Sequence, residues 1–370
     1  MATISLSRLS VCGFKSIKEL NDFEPKALNV LIGPNGAGKS NLIGFFRLLS
    51  WMLVSDGKLQ EHIGYLGGAG EVLHDGTSTT LELTANLALQ TELGLNEYRF
   101  RLFRAAGDTL IFSDEATRYS RTDLGTLAKW IELGAGHREA RILEHQRDNQ
   151  TAKSVVYLLR QLKVYQFHNT SDTSPMRTKW AIDDSRQLKE TGGNIAPFLY
   201  RLQQQSNEHY RIIVRQLRLV LPFFDDFELT NEFGYMLLRW REKGTDKVFN
   251  VSQASDGMLR TMALIALLSQ PTKQLPAVMF LDEPELGLHP FAIDLVAGLI
   301  KAVSLHCQVF VATQSADLLN NFDTEDIIVV NRRGRTSTYE RLNTDALAGW
   351  LEEYSLAELW EKNVLGGKPL

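Results

Sequence analysis

The sequence predicts an α/β fold in which a mixed central sheet joins an antiparallel β lobe, with a helical insertion between the two halves of the head. Three observations carry this. A short apolar strand at residues 29–32 runs into a glycine-rich turn and then an apolar helix from Lys39 to about Val54, the order of an α/β unit. A second α/β run closes the chain: a helix at 257–268, a strand at 278–281, a helix at 290–305, and strands at 308–312 and 326–330. Between the two runs the hydrophobic period falls to two. Leu81, Leu83, Leu87 and Leu89 alternate with Glu82, Thr84 and Asn86, and Tyr98, Phe100 and Leu102 alternate with Arg99, Arg101 and Phe103. That is the pattern of antiparallel strands with one wet face.

The elements follow in order. An opening strand at residues 4–12 passes through Gly13, Phe14 and Lys15 towards the first apolar strand. Gly64, Gly67, Gly68 and Gly70 predict a flexible stretch after the first helix. Residues 121–163 read as helical and richly charged, without sustained heptads. A second helical stretch at 195–221 carries Arg201, Arg211, Arg215 and Arg218, and two strands follow at 227–230 and 235–240. The tail holds two short helices. Thr344 begins the first, and Ser355 with Glu358 forms a capping box for the second. Leu347, Trp350, Leu351, Tyr354, Leu356, Leu359 and Trp360 share a face that either packs on the head or docks a partner. The expected divisions are 1–120 and 246–340 for the halves of the head, 121–245 for the insertion and 341–370 for the tail.

Composition narrows the function. The 370 residues are 44% hydrophobic and 23% charged, ordinary for a folded globular chain. The longest apolar runs, 262–268 and 277–281, fall short of the ~20 residues of a membrane span. Ser5, Arg8 and Lys15 break the N-terminal apolar pattern, which argues against a secretory signal. Cys12 and Cys307 stand alone, so zinc sites and disulfides are not expected, and a reducing cytoplasm fits. With a net charge of −4, any DNA contact is local or made through a partner.

Three motifs carry chemistry. Gly33-Pro34-Asn35-Gly36-Ala37-Gly38-Lys39-Ser40 fits G-x-x-x-x-G-K-[ST], with Asn41 next in the helix. Glycines let successive N–H groups point at phosphate oxygens, Lys39 reaches the β- and γ-phosphates, and Ser40 ligates Mg²⁺. By accident this pattern arises in roughly one in a hundred chains of this length. Val278-Met279-Phe280-Leu281-Asp282-Glu283 is a buried strand ending in two carboxylates. Asp282 suits the Mg²⁺ shell, and Glu283 the water that attacks the γ-phosphate. Ala254-Ser255-Asp256-Gly257-Met258 opens an apolar helix, as a simple N-cap or as an anion site with the same geometry. His137, Glu144, His145 and Asp148 meet no familiar metal spacing and read as a polar face.

Together these residues resemble the RecF/SMC-like branch of ABC-type ATPases, the group with the AAA ATPases of OLD-like proteins and many prokaryotic defence ATPases. The resemblance rests on the Gly-Phe-Lys-Ser-Ile opening (Gly13 to Ile17), the Walker A loop, Ser255-Asp256-Gly257-Met258, Asp282-Glu283-Pro284-Glu285 and Thr313-Gln314-Ser315, in the family's order. It implies a P-loop ABC-ATPase head. Ser255 and Gly257 match signature positions that touch ATP held by another subunit, and Gly287-Leu288-His289-Pro290 matches the D-loop at a dimer seam. Gln314 takes the place of the switch histidine; a neutral amide still hydrogen-bonds phosphate or water. Gln166, in Val164-Tyr165-Gln166-Phe167-His168, is the candidate Q-loop ligand of the metal, with a plain strand residue as the alternative.

The resemblance further implies a homodimer, or a higher oligomer, that closes on ATP and Mg²⁺ and opens on hydrolysis. About 55 residues follow Gln314, fewer than a Toprim nuclease domain needs. The expected effector is therefore a separate nuclease or toxin chain, in anti-phage defence or DNA repair, with DNA as a possible ligand. One alternative is a slow-turnover scaffold that sequesters or regulates a toxin or nuclease. A transporter's ATP-binding subunit fits less well, because its middle is compact and its switch residue a histidine.

Overall fold

The computed structural model describes residues 4–54, 58–121, 125 and 128–366. Its centre is a six-stranded sheet in the order Thr336–Arg341, Ile327–Arg333, Leu28–Ile32, Gln308–Thr313, Val278–Asp282, Leu162–Tyr165. Every neighbouring pair is parallel except the outer hairpin of Ile327–Arg333 with Thr336–Arg341. Val278–Asp282 and Gln308–Thr313, inside the sheet, read as near-continuous apolar runs because both faces are covered. Val30, Ile32, Met279, Leu281, Val309 and Val311 face one hydrophobic cluster; Leu31, Phe280 and Phe310 face the other.

The second cluster lies between the central sheet and the β lobe, a six-stranded antiparallel sheet ordered Ile17–Phe23, Ser5–Phe14, Glu82–Gln90, Gly94–Ala105, Thr109–Arg121, Ile131–Glu132. Helix Lys39–Met52 runs through this layer and buries Leu42, Ile43, Phe45, Phe46 and Leu49. Phe46 stacks on Phe280 at 4.0 Å between centroids, and Phe280 on Phe310 at 4.6 Å. Such pairs contribute about 0.5–1.5 kcal/mol each beyond the area they bury. They hold the helix at a set height over the strand ends.

The first cluster lies on the opposite face, under helices Ile195–Gln205, Asn207–Val220, Asp256–Leu268 and Pro290–Ser304. Helix Asp256–Leu268 is apolar almost all round, and ten of its thirteen residues are buried. Among the described residues no helix is long and apolar enough to cross a membrane.

The middle departs from its sequence reading. Among the described residues of 121–163, only Ile142–His145 and Gln150–Leu159 are α-helical, strand Thr109–Arg121 ends there, and Leu162–Tyr165 joins the central sheet. Residues 122–124 and 126–127 of that stretch lie outside the described residues. The stretch is held by partners on the strands before it, while Arg138, Arg141, Glu144, His145, Arg147 and Asp148 stay exposed. Glu115, wholly buried, accepts from Tyr98 Oη at 2.8 Å, His137 Nε2 at 2.7 Å, Arg141 N at 2.9 Å and Ile142 N at 3.1 Å. The guanidiniums of Arg99 and Arg118 lie 4.5 and 4.4 Å from the Trp130 ring centre. The glycine-rich stretch expected to be flexible forms helices Leu59–Tyr65 and Ala69–Val72. The 195–221 helix breaks at Ser206. Strands expected at 227–230 and 235–240 occur as Phe224–Phe227, Tyr235–Met236 and Arg239–Glu242.

In the tail, helix Leu356–Glu361 belongs to the core. Leu356, Leu359 and Trp360 join the first cluster, and Ala357 N donates to Asn320 Oδ1 at 2.8 Å. Helix Thr344–Leu351 buries no residue fully, and Gly367 lies outside the described residues. Trp360 is 6% exposed and Trp350 47%. Trp360→Ala is therefore expected to cost about 3–5 kcal/mol of unfolding free energy, and Trp350→Ala less than about 1 kcal/mol. Denaturant titration of both variants measures the difference.

Candidate functional site

Four parallel strands end side by side, and each ends in a residue singled out by the sequence. Leu28–Ile32 leads to Gly33, Gln308–Thr313 to Gln314, Val278–Asp282 to Glu283, and Leu162–Tyr165 to Gln166. The register pairs Ile32 with Thr313, Ala312 with Asp282, and Leu281 with Tyr165. The crevice beyond the carboxyl ends of such strands is where α/β sheets bind ligands.

The loop of residues 33–40 turns through Gly36 at φ 76° and Gly38 at φ 112°, both left-handed. Gly38 is the N-cap of helix Lys39–Met52, and no side chain caps that helix. The N–H groups at its start therefore have no side-chain acceptor, the feature that makes a helix N-terminus suited to an anion. Lys39 Nζ folds across the loop and donates to Gly33 O at 2.6 Å and Pro34 O at 3.1 Å. Burial pushes its pKa down, and the charges of Glu283, Asp282 and Glu285 oppose that shift. Asn35, Gly36 and Ser40 are exposed, while Ala37 and Gly38 are buried.

The far end of the chain shapes this loop. Ser337 Oγ donates to Ala37 O at 2.5 Å and lies 2.6 Å from Ser16 Oγ. Tyr339 Oη donates to Gly38 O at 2.9 Å, Arg332 Nη1 to Gly36 O at 3.1 Å, and Asn41 Nδ2 to Ser16 Oγ at 2.6 Å. A Cβ at Gly38 would stand 2.0 Å from Ser337 Oγ, so glycine is required there for space as well as for φ.

Asp282 is the centre of a polar cluster beneath the loop. Its Oδ1 accepts from Ser40 Oγ at 3.2 Å and its Oδ2 from Gln166 Nε2 at 3.3 Å. Gln166 Nε2 also meets His168 Nδ1 at 3.0 Å, and His168 Nε2 meets Asp282 O at 2.8 Å. One tautomer, with the proton on Nε2, satisfies both contacts. Arg47 Nη2 donates to Gln166 Oε1 at 2.6 Å. Burial raises the Asp282 pKa, opposed chiefly by His168 and the Ser40 hydrogen bond.

Glu283 follows at φ 43°, a left-handed conformation that costs a non-glycine residue about 1–3 kcal/mol. Its N–H donates to Ala312 O at 2.8 Å, which holds the turn. Its half-buried carboxylate makes no hydrogen bond or ion pair among the described residues. Glu285, by contrast, accepts from Thr313 Oγ1 at 2.5 Å and Gln314 N at 3.4 Å. It ties the carboxylate turn to the exposed Gln314.

Ser255 caps helix Asp256–Leu268, accepting from Met258 N at 3.3 Å. No hydrogen bond joins it to the loop of residues 33–40, and Ser255, Asp256, Gly287 and His289 are exposed. Gly257 lies so near Gly287 that an added Cβ would be 2.5 Å from Gly287 O. Arg260 on the same helix donates to His168 O at 3.0 Å and Leu286 O at 3.2 Å. Arg177 holds the start of the helix through Val251 O, through Ala254 O at 3.2 Å and through Asp256 Oδ1 at 3.3 Å.

The structure thus brings Lys39, Ser40, Gln166, Asp282, Glu283 and Gln314 to one edge of the sheet, with Ser255 and Gly257 on a separate exposed surface. Sequence reading missed Ser16, Arg47, Arg177, Arg260, Ser337 and Tyr339. None lies in a motif that names its role, although Ser16 stands in the Gly-Phe-Lys-Ser-Ile opening.

Fold and site define an ABC-like AAA ATPase with a P-loop head. The chain belongs to the family described as "AAA domain, putative AbiEii toxin, Type IV TA system", which matches residues 28–320. A solved SMC head bound to the C-winged helix domain of ScpA superposes with a TM-score of 0.61 at 16% identity, covering 93% of this chain and 99% of that one. An SMC head with an extended coiled coil, bound to the C-terminal domain of ScpA from Pyrococcus furiosus, gives 0.56 at 15% identity, covering 95% and 99%. At these identities the likeness is one of fold. A search of curated proteins returns no match.

Gly38→Ala is expected to abolish ATP binding in a chain that still folds. Ser337→Ala, which removes one hydrogen bond of about 0.5–1.5 kcal/mol from the loop, should weaken it about two- to tenfold. Equilibrium binding of a fluorescent ATP analogue, with melting curves as the folding control, checks both.

Proposed function

We propose that the chain binds ATP with Mg²⁺ at the loop of residues 33–40 and hydrolyses it between two copies of itself, as a switch for a separately encoded partner. The observation that carries this reading is the meeting of Ser40 and Gln166 on the two oxygens of Asp282, directly below an uncapped helix start. The donor set fits the cation. Ser40 and Asp282 offer hard oxygen atoms, which suit Mg²⁺, whereas Gln166 turns its Nε2 to Asp282 and its Oε1 to Arg47 and joins them as a ligand only if its amide turns over. Among the described residues no group of three or more His, Cys, Asp or Glu side chains gathers to hold an ion.

Bound ATP would supply the γ-phosphoryl group, and the cation would neutralise charge on it during transfer. Lys39 would exchange its bonds to Gly33 O and Pro34 O for phosphate oxygens, with Asn35, Gly36, Ala37, Gly38 and Asn41 lining the cradle. Glu283, whose carboxylate is uncommitted, would orient and polarise the attacking water. Gln314 would donate its amide to a phosphate oxygen or to that water. Ser255, exposed, and Gly257, half-buried, are unbonded to the loop of their own chain and would act on ATP held by a second copy. The setting proposed is anti-phage defence or DNA repair, with a nuclease or toxin as effector and DNA as a possible ligand. A second reading, a slow-turnover scaffold that sequesters such an effector, draws on Gln314, whose amide cannot take a proton from water as a histidine can.

Glu283→Gln should still bind ATP while turnover falls at least tenfold, about 1.4 kcal/mol or more in the barrier. A steady-state phosphate-release assay reads this, and unchanged turnover removes Glu283 from its role. Lys39→Ala should lose ATP binding itself. Action across a dimer is tested by mixing: Lys39→Ala and Ser255→Arg damage different halves of a shared site. Mixed dimers should therefore recover part of the activity that each variant lacks alone, and no recovery in proven mixed dimers would sink the shared site.

A further inference from the structure

Strand Leu162–Tyr165 is one of the two outer strands of the central sheet, and a cavity of about 440 Å³ opens beside it. Buried Tyr165 and Leu188 form part of its wall. Four cationic side chains line it: Lys163, Arg186, Lys189 and Lys273. Two carboxylates, Asp184 and Glu190, face the same space. Lys189 Nζ pairs with Asp184 at 2.9 Å and Lys163 Nζ with Glu190 at 3.7 Å. Arg186 and Lys273 form no ion pair among the described residues, so four cations against two carboxylates leave the cavity with two uncompensated positive charges.

The segment that carries these charges is fixed in place. Asn194 is wholly buried; its Nδ2 donates to Asp184 O at 2.7 Å and Gln187 O at 2.9 Å, and its Oδ1 accepts from Lys189 N at 2.8 Å. One side chain thus pins both ends of the turn that presents Arg186. The backbone that carries Arg186 is thus set before an anion arrives, which lowers the ordering cost of binding, while the Arg186 and Lys273 side chains are exposed. A guanidinium and an ammonium over a concave surface suit a phosphoryl group, with the guanidinium able to make two parallel bonds. The volume falls within the range of about 300–1,000 Å³ usual for small ligands. Asp184 and Glu190 would repel an extended polyanion laid along the same wall, which favours a compact ligand over a nucleic-acid strand.

We propose that this cavity binds a small phosphorylated anion, at a site separate from the loop of residues 33–40. The segment also reaches the candidate active site, because Glu190 O accepts from Gln166 N at 3.0 Å, and Gln166 bonds to Asp282. A ligand that draws on Arg186 and Lys273 would bear on that segment and through it on Gln166.

The test uses the full chain carrying Lys39→Ala, so that the Walker A loop cannot supply the signal, and titrates inorganic pyrophosphate by calorimetry. One pyrophosphate per chain is expected. Adding Arg186→Ala and Lys273→Ala should weaken binding at least tenfold without moving the melting temperature. Lys273→Glu alone, on the exposed turn Thr272–Gln274, should act in the same direction. A parallel titration with AMP separates the sources: tighter binding than pyrophosphate at these residues identifies a nucleotide, weaker binding an inorganic anion. Absence of saturable pyrophosphate binding, or affinity that ignores both cations, overturns the proposal. So does an oligonucleotide that binds through Arg186 and Lys273 where pyrophosphate does not. Because binding is read without turnover, this result is independent of whether the chain hydrolyses ATP.

Discussion

The parallel alignment of Leu28–Ile32, Gln308–Thr313, Val278–Asp282 and Leu162–Tyr165 is the constraint on which the rest of the molecule depends. Segments far apart in the chain deliver Gly33, Gln314, Asp282 with Glu283, and Gln166 to one edge only because their strands share a register. That register is protected by chemistry at the strand ends. A slip of one residue along Val278–Asp282 would draw Asp282 into the place of Leu281, which is buried between apolar layers. An unpaired carboxylate there costs far more than any single ladder bond returns. The aromatic stack of Phe46, Phe280 and Phe310 adds a second lock, joining the helix that follows the glycine loop to two of the same strands.

Around that edge the polar groups are spent economically. Asp282 and Glu285 are both buried, and burial raises both pKa values; His168 and the Ser40 hydroxyl offset the rise at Asp282, and the Thr313 hydroxyl offsets it at Glu285. Glu283 is the contrast, because its backbone is held in a left-handed turn while its carboxylate stays uncommitted. A strained backbone that presents a free acid at the mouth of a crevice is the arrangement expected of a reactive group.

Arg260 connects the two exposed surfaces of the head. From helix Asp256–Leu268 it reaches His168 O on the segment beyond Gln166, and Leu286 O on the turn before Gly287. Displacement of this helix would therefore be felt at the Asp282 cluster through His168, which touches both. The buried helix Leu356–Glu361 steadies the neighbouring turn in the same way, through Asn320.

The local motifs were legible because their chemistry needs adjacent residues. The glycine-rich loop shows itself through Gly36, Gly38, Lys39 and Ser40 in sequence, and the apolar strand that ends in two carboxylates through Asp282 beside Glu283. The α/β class was legible from the same runs, since buried parallel strands are continuously apolar. The charged stretch at 121–163 misled because Glu115, which binds His137 and the following backbone, and Arg118, stacked on Trp130, lie in a strand outside the window in which helical periodicity is read. The tail aromatics left two readings open because an apolar helical face looks the same whether it packs inward or stays exposed; Trp360 and Trp350 divide between the two. Sequence by itself determined the glycine-rich loop, the paired carboxylates and the fold class, all of them consequences of short-range covalent order. Tertiary structure alone decided that Ser337 and Tyr339 would hold the glycine loop and that Gln166 would face Asp282. Each of those bonds joins residues more than a hundred positions apart, and only the strand register brings them within reach.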